Sequence, residues 1–379
     1  MNTRKTRILQ ANKLYYPYIG GIETIVQQIA EGLAGKFAME VLTCNTVFFN
    51  SKEVINDVAV TRLRAFNLKS LTTMPISLAY PFVFKERSSK YDVSLIHAPF
   101  PLGEMGALLA NKNTKIVCWW HSDIIRQKKL LKVYKYIVNR YLERVDHIVV
   151  ATPGHITSSI FLNKFKYKCS VIPYGVDITR FTLTPDLQSH IANLRIKHGP
   201  RIILFVGRLV YYKGCEYLLE AMKNVDAKLI VIGSGPLNGI LQDTITHEGL
   251  RDKVETIPSV SEEDLRAYYH ACDIFVLPSV ENSEGFGIVQ IEAMACKKPV
   301  INTSLPTGVP WVSVNGLTGF TVPPRDSESL ANAINKLLMD SDLRLRFGEN
   351  ARNRVLEHFT LDKMLSSIGT LFSALGHKR

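Results

Sequence analysis

The amino-acid sequence predicts an α/β protein built from two Rossmann-like, doubly wound domains. The chain has 379 residues, which is enough for two domains of ordinary size. Short runs rich in β-branched residues alternate with helical patterns, as is typical of parallel sheets with helices on both faces. The alternation is interrupted once, between residues 174 and 201, by a polar segment with two prolines and two glycines. We therefore predict one domain over residues 1–175 and a second over 176–359.

The alternating pattern also defines the elements of each half. In the first half, strands are predicted at RILQAN, MEVLTC, VSLIHA, KIVCWW, HIVVAT and CSVIPY, with helices over 22–35, 130–145 and 154–164. In the second half, strands are predicted at RIILFVG, KLIVIG, VETIPS, DIFVLPS and PVINTS, with helices near 214–224, 236–248, 262–271, 287–296, 326–338 and 341–357. Because such sheets bind ligands at the carboxyl ends of their strands, we expect a site in a cleft between two facing domains.

Composition narrows the class of protein further. Hydrophobic residues make up 46% of the chain and charged residues 21%, which allows a large core and argues against disorder. No apolar run is long enough for a membrane span and no signal peptide is evident, so we expect a cytoplasmic protein. The six cysteines form no C-x-x-C pair and are expected to be reduced core thiols.

The charge is unevenly distributed. The net charge is +12, yet the first 175 residues hold 24 Lys and Arg against 11 Asp and Glu, a net charge of +13. The two halves are therefore expected to meet different partners, and the partner of the basic first half is expected to be anionic.

Two motifs of the first half follow predicted strands. Gly20 and Gly21, in YYPYIGGIE, lie between a strand and a helix, where glycines let backbone amides approach a phosphate. A plain strand–helix turn is the alternative. His121 and Asp123, in CWWHSDIIRQKK, come directly after another strand, and the histidine is as compatible with a structural role as with a catalytic one.

Two motifs of the second half place charge at strand ends. In FVGRLVYYKG, Arg208 and Lys213 follow a buried strand, which favours a diphosphate site over two solvated cations. In ENSEGFGIVQIE, Glu284 belongs to the loop after a strand and Glu292 to the following helix, whose first amides could bind an anion. Alternatively, Glu284 caps the helix and Glu292 lies on a solvated face. The residues of that helix start are Gly285, Phe286, Gly287, Ile288 and Val289.

A basic amphipathic helix is predicted over residues 128–145. One face is apolar, from Leu130 to Val145, and could pack on the first sheet. The other face could contact anionic headgroups or a diphosphate lipid, although an ordinary surface helix has the same pattern. The cations of this basic face are Lys128, Lys129, Lys132, Lys135, Arg140 and Arg144.

These motifs, in this order, resemble the family 4 retaining glycosyltransferases of the GT-B fold. The resemblance covers nearly the whole chain and rests on GGIE, IPYGVD, VGRLVYYKG, VIGSGP, LPSVENSEGFGIVQIEAMACKKPV and GLTGFTVPP. It implies α-glycosyl transfer from a nucleotide-diphosphate sugar with retention, without a cofactor or an essential metal. It also implies that the last segment, 360–379, forms a helix that packs back on the first, acceptor-binding domain.

The resemblance also implies a role for each site residue. The glutamate pair of the family, Glu-x7-Glu, corresponds to Glu284 and Glu292. Glu284 and the amides of Gly285 to Gly287 would bind the donor sugar, and Glu292 would bind the ribose. The other roles are neutralisation of the leaving diphosphate by Arg208 and Lys213, contact with the donor sugar by His121, and lining of the phosphates by Gly20 and Gly21.

Finer details resemble bacterial mannosyltransferases of surface-polysaccharide (O-antigen, lipopolysaccharide) synthesis. WWHSDIIRQK and TGVPWVSVNGLTGFTVPP carry this resemblance. It implies GDP-mannose as donor, a polyprenyl-diphosphate-linked saccharide as acceptor, and a peripheral position on the anionic inner leaflet of the inner membrane. A UDP-sugar donor (galactose, N-acetylgalactosamine or glucose) is the alternative within the family. A basic nucleic-acid-binding protein is the alternative of another class, but no nucleic-acid-binding motif accompanies the basic residues.

Overall fold

The computed structural model describes residues 4–18, 20–66, 75–123 and 128–376, and from 128 to 133 the backbone alone. The chain forms two compact units. The first contains Met1–Tyr174 together with Asp362–Arg379, and the second contains Gly175–Leu361.

The first unit is built on an eight-stranded sheet with the order β3-β4-β2-β1-β5-β6-β7-β8. All neighbouring strands are parallel apart from the hairpin of β3 and β4. The strands are β1 (Arg7–Ala11), β2 (Ala38–Cys44), β3 (Ser51–Ile55), β4 (Val58–Leu63), β5 (Val93–Ala98), β6 (Lys115–Trp120), β7 (His147–Val150) and β8 (Cys169–Val171).

The helices of the first unit cover this sheet. They are α1 (Gly21–Leu33), α2 (Tyr80–Ser88), α3 (Pro101–Leu109), α4 (Lys128–Arg144) and α5 (Pro153–Ser158). The sequence predicted one helix over 154–164, which is wrong: α5 ends at Ser158, Ser159 is extended, and a 3-10 helix follows over Leu162–Lys168. Helices α2 and α3 and the β3–β4 hairpin were not predicted.

The last helix, Leu361–Gly376, packs on α1. The Phe372 ring meets Phe37 edge-on at 5.7 Å between centroids. Gly32 of α1 leaves the space that Leu365 fills, since a Cβ at residue 32 would lie 2.5 Å from a Leu365 methyl group. Residues 377–379 of the predicted terminal segment lie outside the described residues.

The second unit is a six-stranded parallel sheet with the order β11-β10-β9-β12-β13-β14. Its strands are β9 (Ile202–Val206), β10 (Lys228–Ile232), β11 (Val254–Ile257), β12 (Ile274–Leu277), β13 (Val300–Thr303) and β14 (Gly319–Val322). The order reverses between β9 and β12. In doubly wound sheets, that switch point is where a crevice forms at the carboxyl ends of the strands.

Eight helices lie between and around these strands in the described part of the second unit. They are α6 (Pro185–His198), α7 (Cys215–Met222), α8 (Asn238–His247), α9 (Glu262–Ala271), α10 (Ile288–Ala295), α11 (Val309–Val312), α12 (Ser327–Met339) and α13 (Ser341–His358), so that the terminal helix is α14. The polar segment between residues 174 and 201, in which no helix was predicted, contains α6. That helix begins with Thr184 as N-cap and proline at its first position.

Within the described ranges, no helix is both long and apolar enough to cross a bilayer.

Candidate functional site

The switch point of the second sheet brings together three of the predicted site residues. Arg208 and Lys213 follow β9, and Glu284 follows β12, the strand next to β9 in the sheet. Arg208 is exposed, whereas Lys213 and Glu284 are buried. The carboxyl edge at this switch point therefore combines an accessible guanidinium with a buried ion pair.

Lys213 and Glu284 form that ion pair. The Lys213 Nζ lies 2.5 Å from the Glu284 Oε2, and each side chain is only about a tenth exposed. The Ser279 hydroxyl donates a second hydrogen bond to the same oxygen at 3.0 Å. Burial alone would lower the pKa of Lys213, but the Glu284 carboxylate outweighs this effect and holds that pKa above its usual value. Lys213 is therefore a fixed cation.

Two glycines allow the loops to take this shape. Gly214, directly after Lys213, has a φ of 67°, and a Cβ there would lie 2.1 Å from the Pro278 carbonyl oxygen. Gly287, directly before α10, has a φ of 72°, and a Cβ would lie 2.5 Å from a Leu277 methyl group. Both positions need the left-handed backbone and the small volume of glycine.

The N-terminus of α10 presents backbone N–H groups at the same edge. No described side chain caps this helix, and its N-cap residue is Gly287. The amides of Ile288 and Val289, in its first turn, have no partner within the helix by geometry. Two hydrogen bonds fix the adjoining loop. The Gln290 side chain donates to the Phe286 carbonyl at 2.8 Å, and the Gly308 N–H donates to the Gly285 carbonyl at 2.9 Å. A rigid helix N-terminus of this kind suits an anion.

Glu292 lies one turn further into α10 and has a different environment. The Tyr269 hydroxyl of α9 donates to its Oε2 at 2.6 Å. Burial raises the pKa of the Glu292 carboxyl, while the tyrosine hydrogen bond works in the opposite direction. Glu284 and Glu292 thus do not share one environment. Glu292 is half-buried and hydrogen-bonded, which counts against a fully solvated face, and Glu284 does not cap the helix.

A buried polar network behind the loop was missed by sequence reasoning. Asn302 of β13 donates from Nδ2 to the Gln290 Oε1 at 2.9 Å and accepts from the Thr321 hydroxyl at 2.7 Å. Thr303 donates to the Ser279 carbonyl at 2.5 Å. The signal was present as polar residues inside the apolar runs IVQIE and VINTS. These bonds connect β13 to the segments that carry Glu284 and α10.

In the first unit, Gly20 and Gly21 lie between β1 and α1 as predicted, although the helix begins one residue earlier than predicted, at Gly21, with Gly20 as N-cap. The preceding turn is fixed by Arg62, which donates to the Tyr15 and Tyr16 carbonyls. The Glu23 carboxylate folds back over Gly20 and lies 3.9 Å from the Lys13 Nζ. An acidic group therefore already lies at this helix N-terminus, so that phosphate lining by these glycines stays a prediction.

His121 is buried within a row of stacked rings at the carboxyl ends of β5, β6 and β8. Its ring lies 5.1 Å from His97, 6.1 Å from Trp119 and 5.7 Å from Tyr174, centroid to centroid, and within 26° of parallel to each. Its Nε2 is 2.8 Å from the His97 Nδ1, and its Nδ1 is 2.5 Å from the Tyr174 hydroxyl. Both ring nitrogens of His121 therefore have protein partners.

The protonation of this row follows from its burial. Burial lowers the pKa of His97 to about 3 and that of His121 well below its usual value, so both rings are neutral at physiological pH. The His97 Nε2 has no partner among the described residues. Because an unpaired buried N–H is rarer than an unpaired acceptor, the favoured arrangement has the His97 Nδ1–H donating to His121 and the His121 Nδ1–H donating to Tyr174. His97 and Tyr174 were not predicted as site residues.

Asp123 is engaged within the first unit. The Trp120 indole N–H and the Ser159 hydroxyl donate to its Oδ1 at 2.9 and 2.7 Å, and the Ile160 N–H donates to its Oδ2 at 3.2 Å. These bonds tie the loop after β6 to the end of α5 and support a structural role for this carboxylate.

The basic helix α4 buries its apolar face as predicted, including Val138, Tyr141 and Leu142. Lys135 and Arg140 are exposed on the other face. Arg144 corrects the prediction: its guanidinium donates to the Asn111 and Thr114 carbonyls at 2.7 and 3.0 Å, and its side chain is 18% exposed, so it holds a loop instead of facing solvent. The side chains of Lys128, Lys129 and Lys132 lie outside the described residues.

Comparisons with known proteins identify the class. Residues 19–180 match the model for Glycosyltransferase Family 4, and residues 187–354 match that for Glycosyl transferases group 1. The chain belongs to glycosyltransferase family 4. It is 33% identical to O-antigen chain mannosyltransferase C of Escherichia coli over 374 residues, 97% of this chain and 98% of that protein. It is also 33% identical to D-rhamnosyltransferase WbpZ of Pseudomonas aeruginosa, over 93% of this chain and 92% of that protein.

Solved structures agree on the fold. Sucrose-phosphate synthase from Thermosynechococcus elongatus matches with a TM-score of 0.81 and 24% identity, over 98% of this chain and 99% of that chain. Anabaena HepE in complex with UDP-glucose matches with a TM-score of 0.78 and 20% identity, over 97% and 99%. The predicted α/β class with Rossmann-like parallel sheets and the GT-B fold are confirmed.

Proposed function

We propose that this chain is a retaining α-mannosyltransferase that uses GDP-mannose and extends a polyprenyl-diphosphate-linked saccharide in O-antigen synthesis. The observation that carries this proposal is the similarity to the E. coli O-antigen chain mannosyltransferase C over nearly the full length of both proteins. Membership of a glycosyltransferase family favours an enzyme over the nucleic-acid-binding alternative.

The donor diphosphate would bind at the switch point of the second unit. Arg208 is exposed there and can chelate two phosphate oxygens, while Lys213 supplies a cation that is already held in place by Glu284. The open N-terminus of α10, from Gly285 to Val289, would add backbone N–H donors. Fixed positive groups of this kind stabilise the charge that develops on a leaving diphosphate. We propose that no metal is required for this stabilisation.

The two glutamates would take separate parts of the donor. Glu284 is buried beside Lys213 and could accept hydrogen bonds from sugar hydroxyls through the oxygen that Lys213 and Ser279 leave unused. Glu292 could accept from the ribose hydroxyls through Oε1, because Tyr269 holds Oε2. Neither carboxylate is assigned a nucleophilic role. The role of His121 beside the donor sugar stays a prediction, and either ring nitrogen would have to give up its present partner to make that contact.

The acceptor would approach from an anionic membrane surface on the cytoplasmic side of the inner membrane. The excess of basic residues in the first half and the exposed Lys135 and Arg140 on α4 support this part of the proposal. These cations would attract acidic headgroups and the diphosphate of the acceptor lipid.

A second donor is supported by an equally similar relative. The P. aeruginosa protein is a D-rhamnosyltransferase, and D-rhamnose is the 6-deoxy form of D-mannose. Both relatives therefore act with sugars of the manno configuration. A donor carrying D-rhamnose is the nearest competitor to GDP-mannose, ahead of the UDP-sugars.

A donor panel tests the proposal. The purified chain is incubated with a synthetic lipid-diphosphate saccharide and, in turn, GDP-mannose, GDP-D-rhamnose, UDP-glucose, UDP-galactose and UDP-N-acetylgalactosamine, with and without EDTA. We expect an EDTA-resistant product with GDP-mannose, α-linked by NMR. Turnover with a UDP-sugar alone, or a β-linked product, would end the proposal.

A matched pair of arginine variants tests the site. Arg208→Met should lower turnover by at least about a hundredfold, because it removes a cation from the leaving group. Arg251→Met, at another exposed arginine of the same unit, should leave turnover unchanged. Equal activities of the two variants would remove Arg208 from the site.

A further inference from the structure

The first unit carries an exposed apolar surface that the proposed reaction does not use. It consists of five large side chains, of which Phe48 is 56%, Phe49 60% and Leu78 72% exposed. We call it the aromatic surface, and its residues are Val47, Phe48, Phe49, Phe66 and Leu78. Three neighbouring apolar side chains in one loop, all more than two-fifths exposed, are uncommon on a soluble monomer unless they serve a contact.

Backbone hydrogen bonds hold the segments of the aromatic surface side by side. Asn45 donates its N–H to the Leu63 carbonyl at 2.7 Å, which joins the segment after β2 to the end of β4. Phe66 and Ile76 exchange two backbone bonds of 2.9 Å, which brings Leu78 towards Phe66 along the chain. The Phe48 and Phe66 rings are 4.7 Å apart, centroid to centroid. The surface is therefore a defined feature at the carboxyl edge of the sheet.

The same edge carries the turn that leads into Gly20 and Gly21. The Tyr18 hydroxyl is hydrogen-bonded to the Thr46 hydroxyl, directly beside Val47 in the chain. Tyr16 and Tyr18 are themselves 44% and 38% exposed. The aromatic surface thus lies next to a turn of the first, acceptor-binding unit, on the side of the sheet where its functional loops are.

The described segments that form the aromatic surface contain a single charged side chain, which is positive. Arg64 lies over the Phe48 ring, 5.4 Å from its centroid, and is the one charged residue in segments 45–50, 64–66 and 75–79. The half of the chain that contains them is strongly basic overall. Aromatic and aliphatic side chains with one cation beside them, and no carboxylate in these described segments, complement an interface that is apolar inside and anionic outside.

We propose that the aromatic surface inserts into the headgroup and acyl boundary of an anionic lipid bilayer and anchors the first unit there. Phe48 and Phe49 enter the acyl boundary, and Arg64 contacts lipid phosphates. This rests on the proposed lipid-linked acceptor, and it adds an apolar, salt-resistant anchor to the electrostatic attraction expected of α4.

Vesicle sedimentation tests the anchor. Full-length protein is mixed with vesicles of phosphatidylethanolamine and phosphatidylglycerol at low and at high salt. The F48S/F49S double variant should partition about a hundredfold more weakly at high salt, at about tenfold for each phenylalanine withdrawn from the acyl boundary. The matched control Y167S/I196S removes two other exposed apolar side chains, 76% and 83% exposed, and should bind like the wild type. Equal binding by all three proteins would overturn the proposal.

A direct probe locates the loop. In a Phe48→Trp variant, vesicles with brominated acyl chains should quench an additional fluorescence component that the wild type lacks. No added quenching would overturn insertion. If light scattering instead shows a wild-type dimer that F48S/F49S converts to a monomer, with unchanged vesicle binding, the surface belongs to a second copy and the proposal is wrong.

Failure of the anchor and failure of the proposed function are separable. Transfer to a water-soluble analogue of the acceptor reports on the enzyme alone, and F48S/F49S should retain it. Lys135→Glu/Arg140→Glu should remove salt-sensitive binding only. If F48S/F49S changes nothing while the α4 variant abolishes binding, the anchor is wrong and membrane contact by charge stands.

Discussion

The Lys213–Glu284 pair yields a prediction in which stability and activity separate. The perturbation is a double-mutant cycle of Lys213→Met, Glu284→Gln and the double variant. Both side chains are about nine-tenths buried and the charged atoms are 2.5 Å apart, so neither charge has water as a substitute partner. Removing one partner of such a pair typically costs about 3–5 kcal/mol.

The two single variants should differ. Lys213→Met leaves the Glu284 carboxylate with the Ser279 hydroxyl as its described hydrogen-bond partner, so we expect the full loss of about 3–5 kcal/mol. Glu284→Gln keeps an amide oxygen that can accept from both Lys213 and Ser279, and its cost should be about 1–3 kcal/mol. The double variant removes both charges and should recover to within about 1 kcal/mol of the wild type, because buried pairs often contribute little net stability.

Activity should not recover with stability. The double variant lacks the cation proposed for the diphosphate and the anion proposed for the sugar. Its turnover should therefore stay at least about a hundredfold below that of the wild type. Stability is measured by urea unfolding, with hydrogen exchange of peptides from residues 200–300 reporting on the second unit. Glu349→Gln, which breaks the exposed pair with Lys297, is the control and should cost under about 1 kcal/mol. A double variant as unstable as the sum of the single variants would refute the reasoning.

Two further predictions concern the first unit. Tyr174→Phe should lower kcat about tenfold at unchanged KM and shift the ¹⁵N resonance of the His121 Nδ1. The reason is that the His121 ring keeps its stacking but loses its hydroxyl partner. An unchanged His121 resonance would contradict the row of hydrogen bonds. For Glu104, burial raises the pKa to about 7 in the folded state, so this carboxyl should make the protein less stable as pH rises from about 5 towards 8. Glu104→Gln keeps one oxygen that can accept from both Phe100 and Tyr134, so it should flatten this pH slope in thermal melting. An unchanged slope would count against the prediction.

Most strands could be predicted from the sequence because parallel strands are buried on both faces. IILFV of β9 and IFVL of β12 are continuous apolar runs, and both were predicted. Strand β3 was missed because it lies at the sheet edge, is mostly exposed, and its SKEVI sequence shows no continuous apolar run. Strand β4 was missed although it is largely buried, and its VAVTRL sequence is broken by the polar Thr61 and Arg62. Helix α6 was missed because its buried positions, Leu187, Leu194 and His198, are too sparse to form an apolar stripe.

The candidate site could be predicted from the sequence only in part, and for a different reason. The sequence could place Lys213 and Glu284 after strands, but it could not show that β9 and β12 are neighbours, because strand order depends on crossovers between elements far apart in the chain. The same holds for His97 and Tyr174, which meet His121 across three strands. Arg144 was misassigned because a helical wheel shows which way a side chain starts, not which carbonyl groups it reaches.

The terminal helix α14 has a consequence for biosynthesis. The second unit is one continuous stretch, complete once residue 361 has been added, whereas the first unit waits for α14 to cover α1. On the ribosome, the N-terminal half is therefore synthesised first but completed only after the second unit, with Phe37 and the Gly32 face of α1 uncovered until α14 has been made. A chain that stops shortly after residue 361 would hold every residue of the second unit and still lack the cover of the first.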